Sequence, residues 1–232
     1  MSHIVSSFDE DFAGLNQTIA RLGGLAEAQL NEVTDLLEAR KLDGLRELIA
    51  RDKELDALEE QLNEQAISLI ARRAPMAQDL RRVLVAIKVA SALERVGDYA
   101  KNIAKRAQII IPAQINGAPM ASLIRMSHMV QQMLHQVMDA YMDMDEKLAL
   151  DVYQRDVEVD QLHTSLFHSL IELLHEAGDR SAAASHLLFV AKNIERVGDF
   201  ATNIAEQIYF LVHGRLPSDD RQKADHSSDV GA

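Results

Sequence analysis

The residues of this chain best suited to chemistry are acids in a recurring spacing. Glu94-Arg95-Val96-Gly97-Asp98-Tyr99-Ala100-Lys101-Asn102-Ile103-Ala104 returns as Glu195-Arg196-Val197-Gly198-Asp199-Phe200-Ala201-Thr202-Asn203-Ile204-Ala205, with nine of eleven positions identical. Each copy sets a Glu and an Asp four residues apart, with an Asn four further on. In a helix that spacing stacks side chains one turn above another on one face. Glu94, Asp98 and Asn102 therefore form an oxygen-rich ladder, and Glu195, Asp199 and Asn203 a second. Upstream of each copy stands another acid pair, in Arg51-Asp52-x-Glu54-x-Asp56 and in Arg155-Asp156-x-Glu158-x-Asp160. Carboxylates this close repel unless a cation lies between them. An all-oxygen shell without Cys suits hard metals such as Mg, Mn or Fe. Ion pairs with Arg and Lys are the alternative. Arg95 and Arg196 adjoin the Glu residues but point about 100° away around a helix. Each copy also keeps a Gly, Gly97 or Gly198, which costs a helix about 1 kcal/mol relative to Ala. Its presence in both copies predicts a close approach by another helix or a ligand.

The remaining constellations carry less. Glu172-x-x-His175 is half of a di-iron bundle motif, but the equivalent stretch, Ser68 to Ala71, lacks its partner, so a surface pair is expected. His163 matches Glu59, one turn after the Asp pairs; both could be peripheral ligands, although ordinary helix-surface residues are the expected reading. Met126, Met129 and Met133 form a stripe that predicts a core or inter-bundle seam rather than a soft partner groove. Arg72, Arg73, Arg81 and Arg82 flank Pro75 as a basic patch. It could meet a phosphate or an acidic partner; a solvated turn that offsets the acids is the expected reading. No nucleophile–base pair, phosphate-cradling Gly loop or zinc signature is visible, so nothing argues for an enzyme.

The elements that must position the acids follow from periodicity and breakers. The chain of 232 residues is 47% hydrophobic and 4% aromatic, has no Cys or Trp and carries a formal charge of −12. Aliphatic helix packing is expected, and general nucleic-acid binding is disfavoured. No Cys means no disulfides, which fits the cytoplasm. There is no signal-peptide pattern at the N-terminus and no apolar run long enough to span a membrane. Sparse Pro and Gly divide the chain into six helices, near 8–39, 42–72, 76–110, 120–142, 146–176 and 181–212. Residues 218–232 read as a disordered tail. The fold class is all-α, two tandem similar three-helix bundles over residues 1–115 and 116–217. Leu80, Leu84, Ile87 and Ser91 space out as a buried seam that continues onto Glu94 and Asp98. Leu188 and Ala191 lead likewise to Glu195. The acids should therefore lie at or beside the seam between helices. Counting from the turns at Pro75 and Gly178 brings Asp52 and Asp56 level with Glu94 and Asp98, and Asp156 and Asp160 level with Glu195 and Asp199.

The doubled Glu-Arg-Val-Gly-Asp-aromatic-Ala-x-Asn-Ile, the Asp-x-Glu-x-Asp before each copy, and Arg-Arg-Ala-Pro-Met-Ala-Gln-Asp-Leu-Arg at 72–81 together resemble the PhoU family, over about residues 5–215. Members are accessory and regulatory proteins of the phosphate-specific transport system. The resemblance implies two similar three-helix bundles and a homodimer. It implies carboxylate-held divalent or trivalent metal ions (Fe, Mn, Mg or Zn) at Asp52, Asp56, Glu94 and Asp98 and at Asp156, Asp160, Glu195 and Asp199. It further implies a cytoplasmic adaptor with two partners, the phosphate ABC transporter ATPase and a sensor histidine kinase, and contact with the membrane only through them. Such a protein represses the phosphate-starvation regulon and restrains uptake when phosphate is ample. The competing expectation is a metal-handling bundle that stores or oxidises iron.

Overall fold

A computed structural model describes residues 2–176 and 178–217; the expected tail at 218–232 lies outside the described residues. Among the described residues six long helices make up the fold: α1 (Ser2–Ala39), α2 (Leu45–Arg73), α3 (Gln78–Ile110), α4 (Ala118–Asp143), α5 (Glu146–Glu176) and α6 (Ser181–His213). Their bounds lie within a few residues of the sequence expectation at most ends; the start of α1 is the largest difference. None is long and apolar enough to cross a membrane among the described residues.

The breakers act where the backbone demands them. Gly44 precedes α2 at φ 100° and Gly214 ends α6 at φ 72°, in the left-handed region that glycine enters without penalty. Asp145 caps α5 by accepting the Leu148 N–H at 3.0 Å. The helices themselves follow stripes at alternating steps of three and four. In α1, Phe8, Phe12, Leu15, Ile19, Leu22, Ala26, Leu30, Val33 and Leu37 are all buried, and this single face holds the helix to its neighbours.

Successive helices run antiparallel. Thr18 bonds Gln65 across α1 and α2, and Arg155 bonds Gln136 across α4 and α5. The helices α1–α3 form one bundle and α4–α6 the other, and they share a continuous core. The halves meet through α3 against α6 and α1 against α4. The α3–α6 pair is antiparallel about a local pseudo-twofold. At its centre the equivalent aromatics Tyr99 and Phe200 lie 5.9 Å apart, ring centre to ring centre. Towards its ends Arg81 stacks over Phe210 at 5.3 Å and Arg106 over Phe189 at 4.2 Å.

The expected seam on α3 is displaced. Leu84 and Ser91 are exposed, and the packed face runs instead through Val83, Ala86, Val89, Ala90, Leu93, Val96, Gly97 and Ala100. The cause is that α3 packs on two sides, against its own bundle and against α6, so its buried face is wide and its centre shifts. Glu94 and Asp98 consequently stand at the rim of the packed face. The methionine stripe is core: Met126 and Met133 are fully buried and Met129 packs against them partly covered.

Candidate functional site

The acids come together as two clusters, each on an antiparallel hairpin. The buried stripe of α2 is Leu45, Leu48, Asp52, Leu55, Leu58, Leu62, Ala66 and Leu69. Asp52 thus occupies a core position, flanked by leucines one turn away on each side. In α5 the stripe is Ala149, Val152, Asp156, Val159, His163, Leu166 and Leu170, with Asp156 in the same register. A carboxylate in such a stripe is carried out of water by the packing of its neighbours and must find a partner. Asp56 and Asp160 stand one turn on, away from the stripe's axis.

In the first cluster the partner is Lys101. Its ammonium donates hydrogen bonds to Asp52 on α2 and to Asp98 on α3. Partial burial works against its charge, but the bonds to the two aspartates outweigh this and hold its pKa above the ordinary lysine range. Arg95 adds rim contacts, 3.6 Å to Glu94 and 3.6 Å to Asp98. Asp56 is exposed, yet desolvation and the neighbouring Asp52 raise its pKa. Glu94 is raised too, by burial first and then by Asp98. Glu59 adds to both and accepts a hydrogen bond from Asn63 at 2.8 Å.

The second cluster lies deeper. Asp156 is 1% exposed, Asp160 3%, His163 1% and Glu195 5%. His163, expected on the surface, is buried because it sits on the α5 stripe. Glu195 accepts a hydrogen bond from Lys192 at 2.9 Å through Oε1. Its Oε2 is buried and accepts no hydrogen bond, with Arg196 Nε 3.9 Å away. Burial raises the Glu195 pKa; Lys192 opposes this and Asp199 reinforces it. Arg196 also meets Asp199 at 3.4 Å. Asn203 does not join the acids but lines a groove between α3 and α6 with Lys88, Ser91 and Phe200.

The doubled glycines are where the hairpins close. A Cβ on Gly97 would lie 2.2 Å from Leu55 Cδ1, so α2 sits directly on α3 there, as the costly glycine foretold. At Gly198 the nearest atom is Asp156 Oδ1, at 3.4 Å from such a Cβ. The smaller Val159 stands where α2 has Leu55, and a carboxylate fills the space.

Ion pairs thus account for observed partners of Asp52, Glu94, Asp98, Glu195 and Asp199. Among the described residues no three Asp, Glu or His groups converge as a cation shell as they stand. For the metal that the resemblance implies, the two clusters differ. The first does not fit, because the Lys101 ammonium lies between Asp52 and Asp98. The second has an oxygen-rich, deeply buried donor set, an imidazole on the same stripe and an orphaned carboxylate oxygen. Spacing alone hid Lys101, although a signal was present: the two copies of the repeat differ at only two of eleven positions, and Lys101 against Thr202 is one.

At the basic patch near Pro75, Arg72 is exposed and the other arginines are half-buried, and the patch meets acids of α1. Arg73 bonds Asp11 at 2.8 Å and Arg72 approaches it at 3.4 Å. Arg82 covers the Phe12 ring at 4.1 Å and reaches Asp9 at 3.4 Å. Arginines there pin α1 to the α2–α3 turn. Glu172 and His175 are exposed.

A family model described as PhoU domain matches residues 19–107 and again 123–208, one copy on each three-helix bundle. The chain belongs to the PhoU family. It is 42% identical over 224 residues to the phosphate-specific transport system accessory protein PhoU homolog of Zymomonas mobilis, covering 96% of this chain and 94% of that protein. The homolog of the same name from Caulobacter vibrioides is 41% identical, covering 96% and 97%. Among solved structures, PhoU from Pseudomonas aeruginosa superposes with a TM-score of 0.86 at 27% identity, over 90% of this chain and 100% of that one. The first match begins partway along α1 and leaves out residues 2–18 of it; α1 closes the first bundle and packs on α4.

Proposed function

We propose that the chain is an accessory regulator of a phosphate-specific transport system. It works at the cytoplasmic face and couples the transporter ATPase to a sensor histidine kinase. When phosphate is ample it keeps the starvation regulon off and restrains uptake. The observation that carries this is the doubled PhoU domain, matched along both halves to relatives named for that system. Long exposed helical faces and the homodimer expected of the family suit an adaptor. Deleting the protein should switch on a phosphate-starvation reporter in phosphate-rich medium. Unchanged expression and uptake in the deletion strain would refute the reading.

A hard cation belongs to this reading at Asp156, Asp160, Glu195 and Asp199, where it would offset several buried charges and clamp α5 to α6. The buried, unsatisfied Glu195 Oε2 supports it, and a nearby imidazole suits Mn, Fe or Zn better than Mg. The iron-storing alternative, which the clustered acids prompt, is not favoured: the matched relatives are named for phosphate transport, and Glu172 and His175 are both exposed. Stripping metal with a chelator should lower the melting temperature and leave partner capture intact; an unchanged melting curve on stripping and reloading speaks against the cation.

A further inference from the structure

We propose that Lys101 is a built-in cation whose ammonium occupies the first carboxylate cluster and closes it to metal ions, leaving cation binding to the second cluster alone. The last clause rests on the reading above; the first does not.

The geometry carries it. A metal between facing helices would join carboxylates from both, and Lys101 does that with Asp52 of α2 and Asp98 of α3. Its stem leaves α3 three residues past Asp98, so the chain itself delivers the charge. At the equivalent position in the other half stands Thr202. This side chain is too short to cross to α5, and its hydroxyl turns back to donate to the Gly198 carbonyl at 2.8 Å. A lysine that serves the second half comes from elsewhere: Lys192 approaches Glu195 from the preceding turn of α6.

Depth supplies the reason for the difference. Leu55 fills the space above Gly97, whereas the Asp156 carboxylate and the smaller Val159 fill that above Gly198. Of the first set of acids only Asp52 is buried; Glu94 and Asp98 stand at the rim and Asp56 is exposed, where water screens it. One ammonium then suffices. Asp156, Asp160 and Glu195 lie too deep for water to do the same, and buried carboxylates need full compensation.

The test is a titration of the chelator-stripped full chain with Mn²⁺ alone, counting bound ions by the loss of the free-ion resonance. Lys101→Thr, which installs the second half's residue, is expected to take up about one more ion per chain than the parent. Adding Asp98→Asn should remove that gain. Uptake by Lys101→Thr no greater than the parent's overturns the proposal. Should the variant be unfolded in metal-free buffer, its helicity is followed during the same titration. Recovery with Mn²⁺ is the expected result, and failure to recover again overturns it. Thr202→Lys reports separately on the second cluster, where it should lower the parent's uptake. A parent that binds no Mn²⁺ sinks the second-cluster reading, and the Lys101→Thr gain still decides the role of Lys101.

Discussion

The two hairpins share a repeat but settle their acids in opposite ways. The α2–α3 hairpin closes with a hydrocarbon, Leu55 on Gly97, and answers Asp52 and Asp98 with a lysine from the same helix as Asp98. The α5–α6 hairpin closes with Asp156 on Gly198, buries more of its acids, and leaves one oxygen of Glu195 without a hydrogen bond. A duplicated unit thus kept its backbone and changed how its charge is held. What this teaches is that identical motif acids need not do identical work. The partner one turn away decides.

The comparison breaks most sharply at Lys101. Lys101→Met strands a buried Asp52, and removing one partner of such a pair costs about 2–3 kcal/mol here, somewhat less than for a fully buried pair because the site is partly open. Thr202→Val removes only a local bond and should cost less than about 1 kcal/mol. Urea unfolding of both variants measures the gap; equal losses would mean that the lysine does not hold the cluster.

The glycines come next. Gly97→Ala must displace Leu55 in a packed core. Overpacking of about 1–3 kcal/mol, less about 1 kcal/mol of helix propensity, should leave a net destabilisation of up to about 2 kcal/mol. Gly198→Ala meets only ordinary contact and should be neutral to slightly stabilising. Thermal melts of the pair rank them directly.

Smaller still is the effect at a buried amide. Gln29 is fully buried with neither amide atom hydrogen-bonded, and it lies by Gly97 as Val130 lies by Gly198. Gln29→Val should stabilise by about 1 kcal/mol by removing an unsatisfied polar group, and Val130→Gln should cost at least as much. A Gln29→Val protein weaker than the parent would show that the amide has a partner in solution.

The mildest probe is pH, applied to the metal-stripped protein. Asp56, Glu94 and Glu195 have raised pKa values, chiefly through burial. In the fold they hold protons at pH values where the unfolded chain has lost them. Stability should therefore rise as pH falls from neutral towards the ordinary carboxylate value of about 4. Asp11 is held low, first by its bond to Arg73, so its contribution persists through that window and fades only below about 4. Lys101, raised, stabilises below the ordinary lysine value of about 10.4 and loses that contribution as pH climbs beyond it. A melting temperature that fell steadily on acidification from neutral would contradict this assignment.

Most of the fold was legible because helices announce themselves locally. The three–four periodicity and the breakers at Pro75, Gly178 and Gly214 are properties of neighbouring residues, and the repeat showed that one unit occurs twice. The pairing of the acids was legible as well, since an antiparallel hairpin ties height to distance from the turn. The readings that failed were those that depend on more than one neighbour. Leu84 and Ser91 fit a seam by spacing, yet α3 is packed from two sides and turns them outward. His163 looked like surface until its place on the α5 stripe put it in the core.

What the sequence by itself determined, then, is the six-helix, twice-repeated architecture, the membership of the PhoU family and the level at which the acids meet. These rest on periodicity, turns and identity, which need no partner. Only the tertiary structure decided which cation answers which carboxylate. That depends on how far Leu55 or Val159 lets the facing helix approach, and on whether a side chain such as Lys101 is long enough to cross the gap.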